Sequence, residues 1–199
     1  TWRENFENNI SGNREIHNSS IIFFREIINI LKDNNLKLRI MPKYEKSDKE
    51  YLKEISYFNK LLNLKKNNNS IFLNKSQKYD QYKFCDKSKI IISFNSTLAF
   101  EMLGAKRKVL FLGSEKKIIE KLGWQSQFLY LPPQIKIEND LKSELNQKLS
   151  YLINMHDEEY QKLIKKCVSE YMFFQQEWPH EIIKQKISGY FNFVTYYKS

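Results

Sequence analysis

The sequence has few cysteines and no long apolar segment. Its two cysteines, Cys85 and Cys167, are far apart and match no metal-binding spacing, so free thiols in a reducing compartment are expected rather than a disulfide. No apolar run approaches the roughly 18 residues that a transmembrane helix needs, and residues 1–5 contain no signal-peptide core. We therefore expect a cytoplasmic location, with peripheral contact at the inner face of the cytoplasmic membrane left open.

Glycine-rich and histidine-based enzyme motifs are also missing. The chain has only five glycines and contains no GxGxxG, GxxxxGK[ST], HExxH or GxSxG. This removes the strongest motif-based cases for a dehydrogenase, a P-loop nucleotidase, a zinc protease or a hydrolase. No Asp-x-Asp pair offers a divalent-metal clamp on a diphosphate. We therefore expect neither a bound metal nor a cofactor.

The strongly positive net charge needs a physical interpretation. It is +10 at pH 7, but the lysines are spread over nearly every segment, and asparagine is equally over-used, as expected of an AT-rich coding sequence. No aromatic-interleaved RNA-binding strand and no zinc finger accompanies the charge. Nucleic acid is therefore not the expected partner. A basic surface still favours anionic ligands such as nucleotide sugars and lipid headgroups.

The apolar pattern alternates between strand-like and helix-like segments. At 199 residues and 41% hydrophobic content, the chain is long enough for a packed core. We predict an α/β fold with a Rossmann-like parallel sheet, flanking helices and a helical carboxyl-terminal region. The predicted segments are a loop or loosely docked lead-in at 1–18, helices near 19–34, 48–64, 77–85 and 116–122, strands at 36–41, 71–73 and 128–131, and helices at 141–153, 158–171 and 180–193. Because no strand precedes the first helix, the chain is expected to be a piece of a longer protein.

The clearest unit lies between Asp86 and Leu112. Ile90–Ile92 form a β-branched run typical of a buried parallel strand, and a helix carrying Leu98, Met102 and Leu103 follows directly. Val109–Leu112 is typical of the next buried strand. The segment therefore predicts one βαβ unit, with a strand-to-helix junction near residues 93–97.

Polar residues at that junction suggest an anion site. Free backbone N–H groups and the positive end of the helix dipole favour phosphate there, and Ser96 and Thr97 add hydroxyl donors. Glu101 lies one turn further along the same helix face, where it can accept hydrogen bonds from a ribose. The alternative is that Ser96 or Thr97 only caps the helix and that Glu101 is only a solvated side chain.

Two further residues follow predicted strands. Lys43 comes after the strand at 36–41, and Asn74 comes after the strand at 71–73. Ligands of open α/β sheets bind at the carboxyl ends of the strands, so both side chains are candidates for contact with a phosphate, a base or a ribose. The alternative is a solvated loop residue in each case.

Five segments together resemble the carboxyl-terminal half of GT-B glycosyltransferases of bacterial surface polysaccharide synthesis, in particular surface carbohydrate biosynthesis proteins and the Kdo- and glycerophosphate-transferring enzymes. The resemblance covers roughly residues 20 to 112, and its most specific element is Asp-x-x-Ile-x-x-Asn-Ser-Thr-x-x-x-Glu. The segments are Leu38-Arg39-Ile40-Met41-Pro42-Lys43, Tyr51-Leu52-Lys53-Glu54-Ile55, Asp86-Lys87-Ser88-Lys89-Ile90-Ile91-Ile92-Ser93, Asn95-Ser96-Thr97-Leu98-Ala99-Phe100-Glu101 and Lys108-Val109-Leu110-Phe111.

The resemblance implies a donor domain for a CMP-, UDP- or GDP-linked sugar. By matching position, Ser96 and Thr97 would hold the donor's phosphate, Glu101 the ribose or the sugar, and Lys43 a phosphate or the base, with Asn74 and Asn95 as further donor-binding residues. The implied organisation is a lead-in at 1–18, a Rossmann-like nucleotide-sugar-binding domain at 19–135, and carboxyl-terminal helices at 136–199 packed on the same domain.

Two departures from the family pattern limit the activity that the resemblance implies. Such enzymes often carry His-Pro where this chain has Met41-Pro42, and their amino-terminal half, which usually supplies the acceptor site and the general base, is not in this sequence. The catalytic residues are therefore unassigned, and we expect donor binding with little or no turnover by the isolated chain. The alternatives are a non-catalytic α/β module that binds a partner protein and a sugar-nucleotide epimerase-like domain.

Overall fold

Helices dominate the part of the chain that the computed structural model describes, which is residues 13–62, 71–73 and 80–171. In these ranges no helix is both long and apolar enough to cross a membrane. The elements in chain order are α1 Asn13–Asp33, α2 Lys49–Leu61, α3 Asp80–Asp86, β1 Ile91–Ser93, α4 Thr97–Gly104, β2 Val109–Phe111, α5 Lys116–Leu122, α6 Gln125–Phe128, a 3-10 turn Pro133–Ile135, α7 Leu141–Asn154 and α8 Asp157–Tyr171.

The β-structure consists of two separate parallel pairings. β1 and β2 pair in parallel, with Ile92 opposite Leu110, and Lys136 extends this pairing through a parallel bridge to Phe111. The second pairing is a single parallel bridge between Ile40 and Phe72. The described residues therefore form a mostly helical protein with a small two-stranded parallel sheet, and a complete Rossmann-like sheet is not present among them.

β2 lies at the centre of the core. Its residues are all fully buried, which explains why its sequence is apolar without alternation. The Phe111 ring lies 4.7 Å from that of Phe100 on α4 and 6.0 Å from that of Phe128 on α6. The hydroxyl of the buried Tyr160 accepts a hydrogen bond from the Val109 N–H at 3.0 Å. These contacts fasten α4, α6 and α8 to the strand.

The first helix begins earlier than the sequence pattern suggests. The predicted lead-in at 1–18 is wrong for residues 13–18, since α1 starts at Asn13. Ser19 and Ser20 resemble helix caps in the sequence, but both are buried inside the helix. Ser19 donates a hydrogen bond to Glu115, and Ser20 donates to the carbonyl of Ile16 at 2.7 Å. A serine can bond the preceding turn of its own helix and so need not begin one.

The predicted strand at 128–131 is also wrong. Phe128 and Leu131 are buried, whereas Leu129 and Tyr130 between them are 65% and 50% exposed. This spacing of three belongs to a helical turn, and the Leu131 N–H indeed bonds the Phe128 carbonyl. The extended segment comes after the prolines instead, where buried Ile135 and Ile137 flank Lys136.

The other predicted helices agree with the structure to within a few residues, whereas the strands predicted at 36–41 and 71–73 are reduced to single bridge residues, Ile40 and Phe72. α2 ends at Leu61 rather than residue 64, and α5 has the predicted bounds. α3, Asp80–Asp86, covers the described part of the helix predicted at 77–85. α7 and α8 match the predicted helices at 141–153 and 158–171, and they contact α1 and α4, respectively. The predicted helix at 180–193 lies outside the described residues. The three-part domain organisation remains a prediction.

A carboxylate at the start of α7 makes stability depend on pH. Burial acts to raise the pKa of Glu144, but the Lys148 ammonium at 2.5 Å and the N–H groups of residues 138–140 stabilise the charged form and lower the pKa to about 2. A depressed pKa contributes stability that is complete above the unfolded value of 4.5 and is lost as the pH falls towards 2. We expect this contribution to be on the order of 2 kcal/mol, allowing for residual solvent screening.

Urea unfolding between pH 6 and pH 2 measures this effect. Glu144→Gln should be less stable than the natural chain at pH 6, and the difference should shrink towards zero near pH 2. Glu158→Gln, which changes an exposed carboxylate in the first turn of α8, provides the matched control. A Glu144→Gln difference that stays constant over this pH range would show that the carboxylate does not have the depressed pKa.

Candidate functional site

The turn from β1 into α4 exposes its hydroxyl groups to solvent. Ser96 occupies the N-cap position in an extended conformation, with φ −133° and ψ 132°, but its side chain makes no capping hydrogen bond. Both Ser96 and Thr97 are exposed. The helix therefore does not use the Ser96 hydroxyl for its own capping, and a ligand can reach both hydroxyls.

A close backbone approach fixes this turn in place. The Gly113 N–H donates to the Phe94 carbonyl at 3.0 Å, and the Leu112 N–H donates to the Ser93 carbonyl at 2.8 Å. A Cβ atom on Gly113 would lie only 2.2 Å from the Phe94 oxygen and 3.2 Å from the Trp124 ring. Only glycine fits at this position, and it holds residues 93–95 against the end of β2.

One side of the turn faces a cavity that we call the polar cavity. It has a volume of about 520 Å³ and is lined by Asn95, Thr97, Phe100, Glu101, Gln127 and Tyr171. Glu101 accepts a hydrogen bond of 2.5 Å from the Tyr82 hydroxyl, and Asn95 donates to the side-chain carbonyl of Gln127. The cavity therefore presents a carboxylate, two amides and a threonine hydroxyl, in an arrangement fixed by contacts between separate elements.

An aromatic surface completes the polar cavity. The rings of Phe100 and Tyr171 lie 5.4 Å apart, and the Tyr171 hydroxyl accepts the Tyr130 N–H at 3.0 Å. Burial raises the pKa of Tyr171, so the phenol stays protonated at neutral pH. A ring-shaped ligand can thus stack on aromatic carbon while its polar groups meet Glu101 and the amides.

The other side of the turn faces a second cavity, which we call the apolar cavity. It has a volume of about 550 Å³ and lies between the two parallel pairings, since Ile40 and Met41 line it from one side and residues 90–95 from the other. Phe94 and Trp124 contribute aromatic surface. Asn95 lines both cavities, so they meet at the beginning of α4.

The structure brings together three of the six predicted donor-binding residues. Asn95, Thr97 and Glu101 line the polar cavity, and Ser96 is exposed beside them at the N-cap. Lys43 is exposed just beyond Met41, with its ammonium 5.4 Å from the centre of the Tyr44 ring, and it lines neither of these two cavities. Asn74 lies outside the described residues.

Sequence reasoning missed three polar residues of this site. Tyr82 comes from α3, Gln127 from α6 and Tyr171 from the end of α8. Each reaches the junction from an element distant in sequence, and none stands in a recognisable motif. Gln127 also borders the segment at 128–131 that was predicted to be a strand. Only the three-dimensional packing reveals these residues.

Neither metal chemistry nor thiol chemistry is built into the described part of the molecule. Over residues 13–62, 71–73 and 80–171, no three His, Cys, Asp or Glu side chains come together in a way that could hold a metal ion. Cys85 lines the apolar cavity, but burial raises the pKa of its thiol, which disfavours the reactive thiolate. The chemistry that the site offers is therefore hydrogen bonding, stacking and anion binding.

The fold and the site define a mostly helical protein with a small parallel sheet and a cavity on each side of a strand-to-helix junction. The chain belongs to the family described as "putative O-antigen biosynthesis protein", whose model matches residues 5–184. This membership is compatible with a role in surface polysaccharide biosynthesis. No curated protein and no solved structure matches the chain.

Proposed function

We propose that this chain is the nucleotide-sugar-binding half of a metal-independent glycosyltransferase in surface polysaccharide biosynthesis. The observation that carries the proposal is the pair of cavities that meet at Asn95, at the beginning of α4. A nucleotide sugar has three chemically different parts in a fixed order: an aromatic base, an anionic phosphate and a hydroxyl-rich ring. The site offers a matching surface for each part in the same order.

Each part of the donor has a physical reason for its position. The base fits the apolar cavity, where Phe94 and Trp124 provide aromatic contact. The phosphate fits the exposed start of α4, where the helix dipole and the Ser96 and Thr97 hydroxyls favour negative charge. The ribose or the sugar fits the polar cavity, where Glu101 accepts hydrogen bonds from hydroxyl groups.

The order of the extended segments supports this placement. The parallel pairings join residue 72 to residue 40, and β1 to β2 to residue 136. If the two pairings belong to one sheet, its segments lie side by side in the order Phe72, Ile40, β1, β2 and Lys136. The segment at Ile40, which is the first in sequence, then lies between the second and the third, and the strand order reverses between Ile40 and β1. Open α/β sheets bind ligands at such a reversal, beyond the carboxyl ends of the strands. The apolar cavity lies at that place.

The proposed role is donor binding rather than complete catalysis. Glycosyl transfer requires stabilisation of the leaving phosphate and deprotonation of the acceptor hydroxyl. The start of α4 serves the first requirement. Glu101 is the carboxylate that lines the polar cavity, and the Tyr82 hydroxyl already occupies one of its oxygens. We therefore assign the general base and the acceptor site to a separate amino-terminal half, and expect slow or no turnover by this chain alone.

A thermal-shift experiment on the 199-residue chain tests the proposal. UDP, GDP and CMP, each alone and linked to a sugar, are added at saturating concentration. A ligand at one hundred times its Kd stabilises the folded state by about 2.7 kcal/mol, so at least one nucleotide should raise Tm by roughly 5 to 10 °C. Ser96→Ala should weaken that ligand about tenfold, because a hydrogen bond to a phosphate is lost.

Ser169→Ala is the matched control, since Ser169 is an exposed serine on α8, away from both cavities. It should leave both Tm and ligand affinity unchanged. If no nucleotide shifts Tm, the donor-binding proposal fails, and the partner-binding module becomes the better explanation. If a nucleotide sugar is bound and converted to its epimer without an acceptor, the epimerase-like alternative is correct.

A further inference from the structure

We infer that the polar cavity selects an uncharged or cationic sugar ring and discriminates against an acidic one, with Glu101 as the residue that sets this specificity. The inference rests on the proposed function, because it concerns the part of the donor that enters the polar cavity. It goes further by assigning the chemical class of the sugar.

The first argument is the charge of the cavity. Glu101 contributes a carboxylate, and the other described residues that line the cavity are an asparagine, a threonine, a glutamine and two aromatic residues. The described lining therefore includes no lysine, arginine or histidine that could pair with an acidic group of the ligand. Like charges within a few ångströms repel even at a partly exposed site, so an acidic sugar is disfavoured here.

The second argument is the hydrogen-bonding capacity of the cavity. The Tyr82 hydroxyl fixes one Glu101 oxygen at 2.5 Å, and the other carboxylate oxygen can accept hydrogen bonds from the ligand. Asn95 and Gln127 already bond each other, which sets the direction of their remaining polar groups. A fixed carboxylate acceptor suits a ligand with hydroxyl or ammonium donors. The carboxylate group of an acidic sugar has no donor at neutral pH, so it cannot take the place of a hydroxyl opposite Glu101.

The sequence resemblance leaves the sugar open, but some of the enzymes that it names transfer Kdo. Kdo is an acidic sugar, and a site built for it needs a cation near the carboxylate of the ring. In the described part of the chain, Arg39 lines the apolar cavity and the exposed Lys43 lies in the loop that follows Met41. Neither is in the described lining of the polar cavity. A neutral hexose or an amino sugar therefore fits the geometry better.

Titration calorimetry with matched donors tests the inference. UDP-glucose, UDP-glucosamine and UDP-glucuronate share the nucleotide and differ in the charge of the sugar, and GDP-mannose and GDP-mannuronate form the parallel pair. For the nucleotide that binds, the neutral and cationic donors should bind at least about tenfold more tightly than the acidic donor. Glu101→Gln keeps the size of the side chain and removes its charge, so this ratio should fall to near one. Glu120→Gln, an exposed change on α5, should preserve the ratio.

Each outcome has a distinct meaning. A ratio of at least about ten that collapses in Glu101→Gln supports the inference. If UDP or GDP binds but the acidic donor binds as well as the neutral one, the charge selection is wrong and the donor-binding proposal stands. If the ratio is present but Glu101→Gln leaves it unchanged, Glu101 does not determine the specificity. If neither UDP nor GDP binds, alone or linked to a sugar, this inference is overturned. The proposed function is overturned as well only if CMP and CMP-linked sugars also fail to shift Tm.

Discussion

Glu115→Ala is expected to destabilise the chain by about 4 kcal/mol and to lower Tm by roughly 10 °C. Glu115 is fully buried, and its carboxylate joins three elements: it accepts a hydrogen bond from Ser19 on α1 at 2.5 Å and from the Leu141 N–H at the start of α7 at 3.1 Å, and it pairs with Lys117 on α5 at 3.1 Å. Alanine leaves the Ser19 hydroxyl and the Leu141 N–H without their acceptor in a place that water cannot reach, although the exposed Lys117 ammonium can be hydrated. The penalty for the two buried donors is larger than that of a lost surface contact.

Urea or thermal unfolding measures this effect, and two variants serve as controls. Glu115→Gln keeps the shape and one acceptor oxygen, so it should lose far less stability than the alanine variant. Glu120→Ala removes an exposed glutamate of the same helix and should change stability by at most about 0.5 kcal/mol. If Glu115→Ala unfolds like Glu120→Ala, the carboxylate is not the buried link between α1, α5 and α7 that its contacts describe.

The sequence predicts the local parts of the fold better than the contacts between distant residues, such as the bond from Ser19 to Glu115. The βαβ unit at 86–112 is predicted because the patterns of its strands and helix lie in adjacent residues, and β1, α4 and β2 lie where these patterns place them. β1 is half-buried, however, and not buried as its apolar run predicts. Ser19 is different. A serine that bonds a carboxylate 96 positions away looks the same in sequence as a serine that caps a helix, so the start of α1 was misplaced.

The candidate site divides in the same way. Asn95, Thr97 and Glu101 are predicted from the sequence because they belong to one strand-to-helix turn, and the structure places all three in the lining of one cavity. Tyr82 and Gln127 were not found, because their role is to hold Glu101 and Asn95 in place from other elements. Tyr82 and Gln127 contact Glu101 and Asn95 only in the folded chain, so no periodic pattern in the sequence marks them.

Gly113→Ala is expected to disturb both stability and ligand binding. The new Cβ would lie 2.2 Å from the Phe94 oxygen and 2.9 Å from its carbonyl carbon. These are backbone atoms, so no side-chain rotation can relieve the overlap, and the turn at 94–95 must move. We expect a loss of about 3 kcal/mol, at the upper end of overpacking effects, and a fall in Tm of roughly 10 °C.

Gly123→Ala separates this effect from an ordinary glycine effect. Gly123 ends α5 with φ of 67°, and no atom lies within 4 Å of the position that its Cβ would take, so alanine there costs about 1 kcal/mol through backbone strain alone.

Calorimetry below the Tm of each variant compares nucleotide affinity directly. Gly113→Ala should weaken the nucleotide by tenfold or more, because movement of Phe94 and Asn95 changes the apolar cavity and the polar cavity together. Gly123→Ala should bind as the natural chain does. If Gly113→Ala loses stability but keeps full affinity, the ligand does not depend on the turn where the two cavities meet, and the base and the sugar must bind elsewhere.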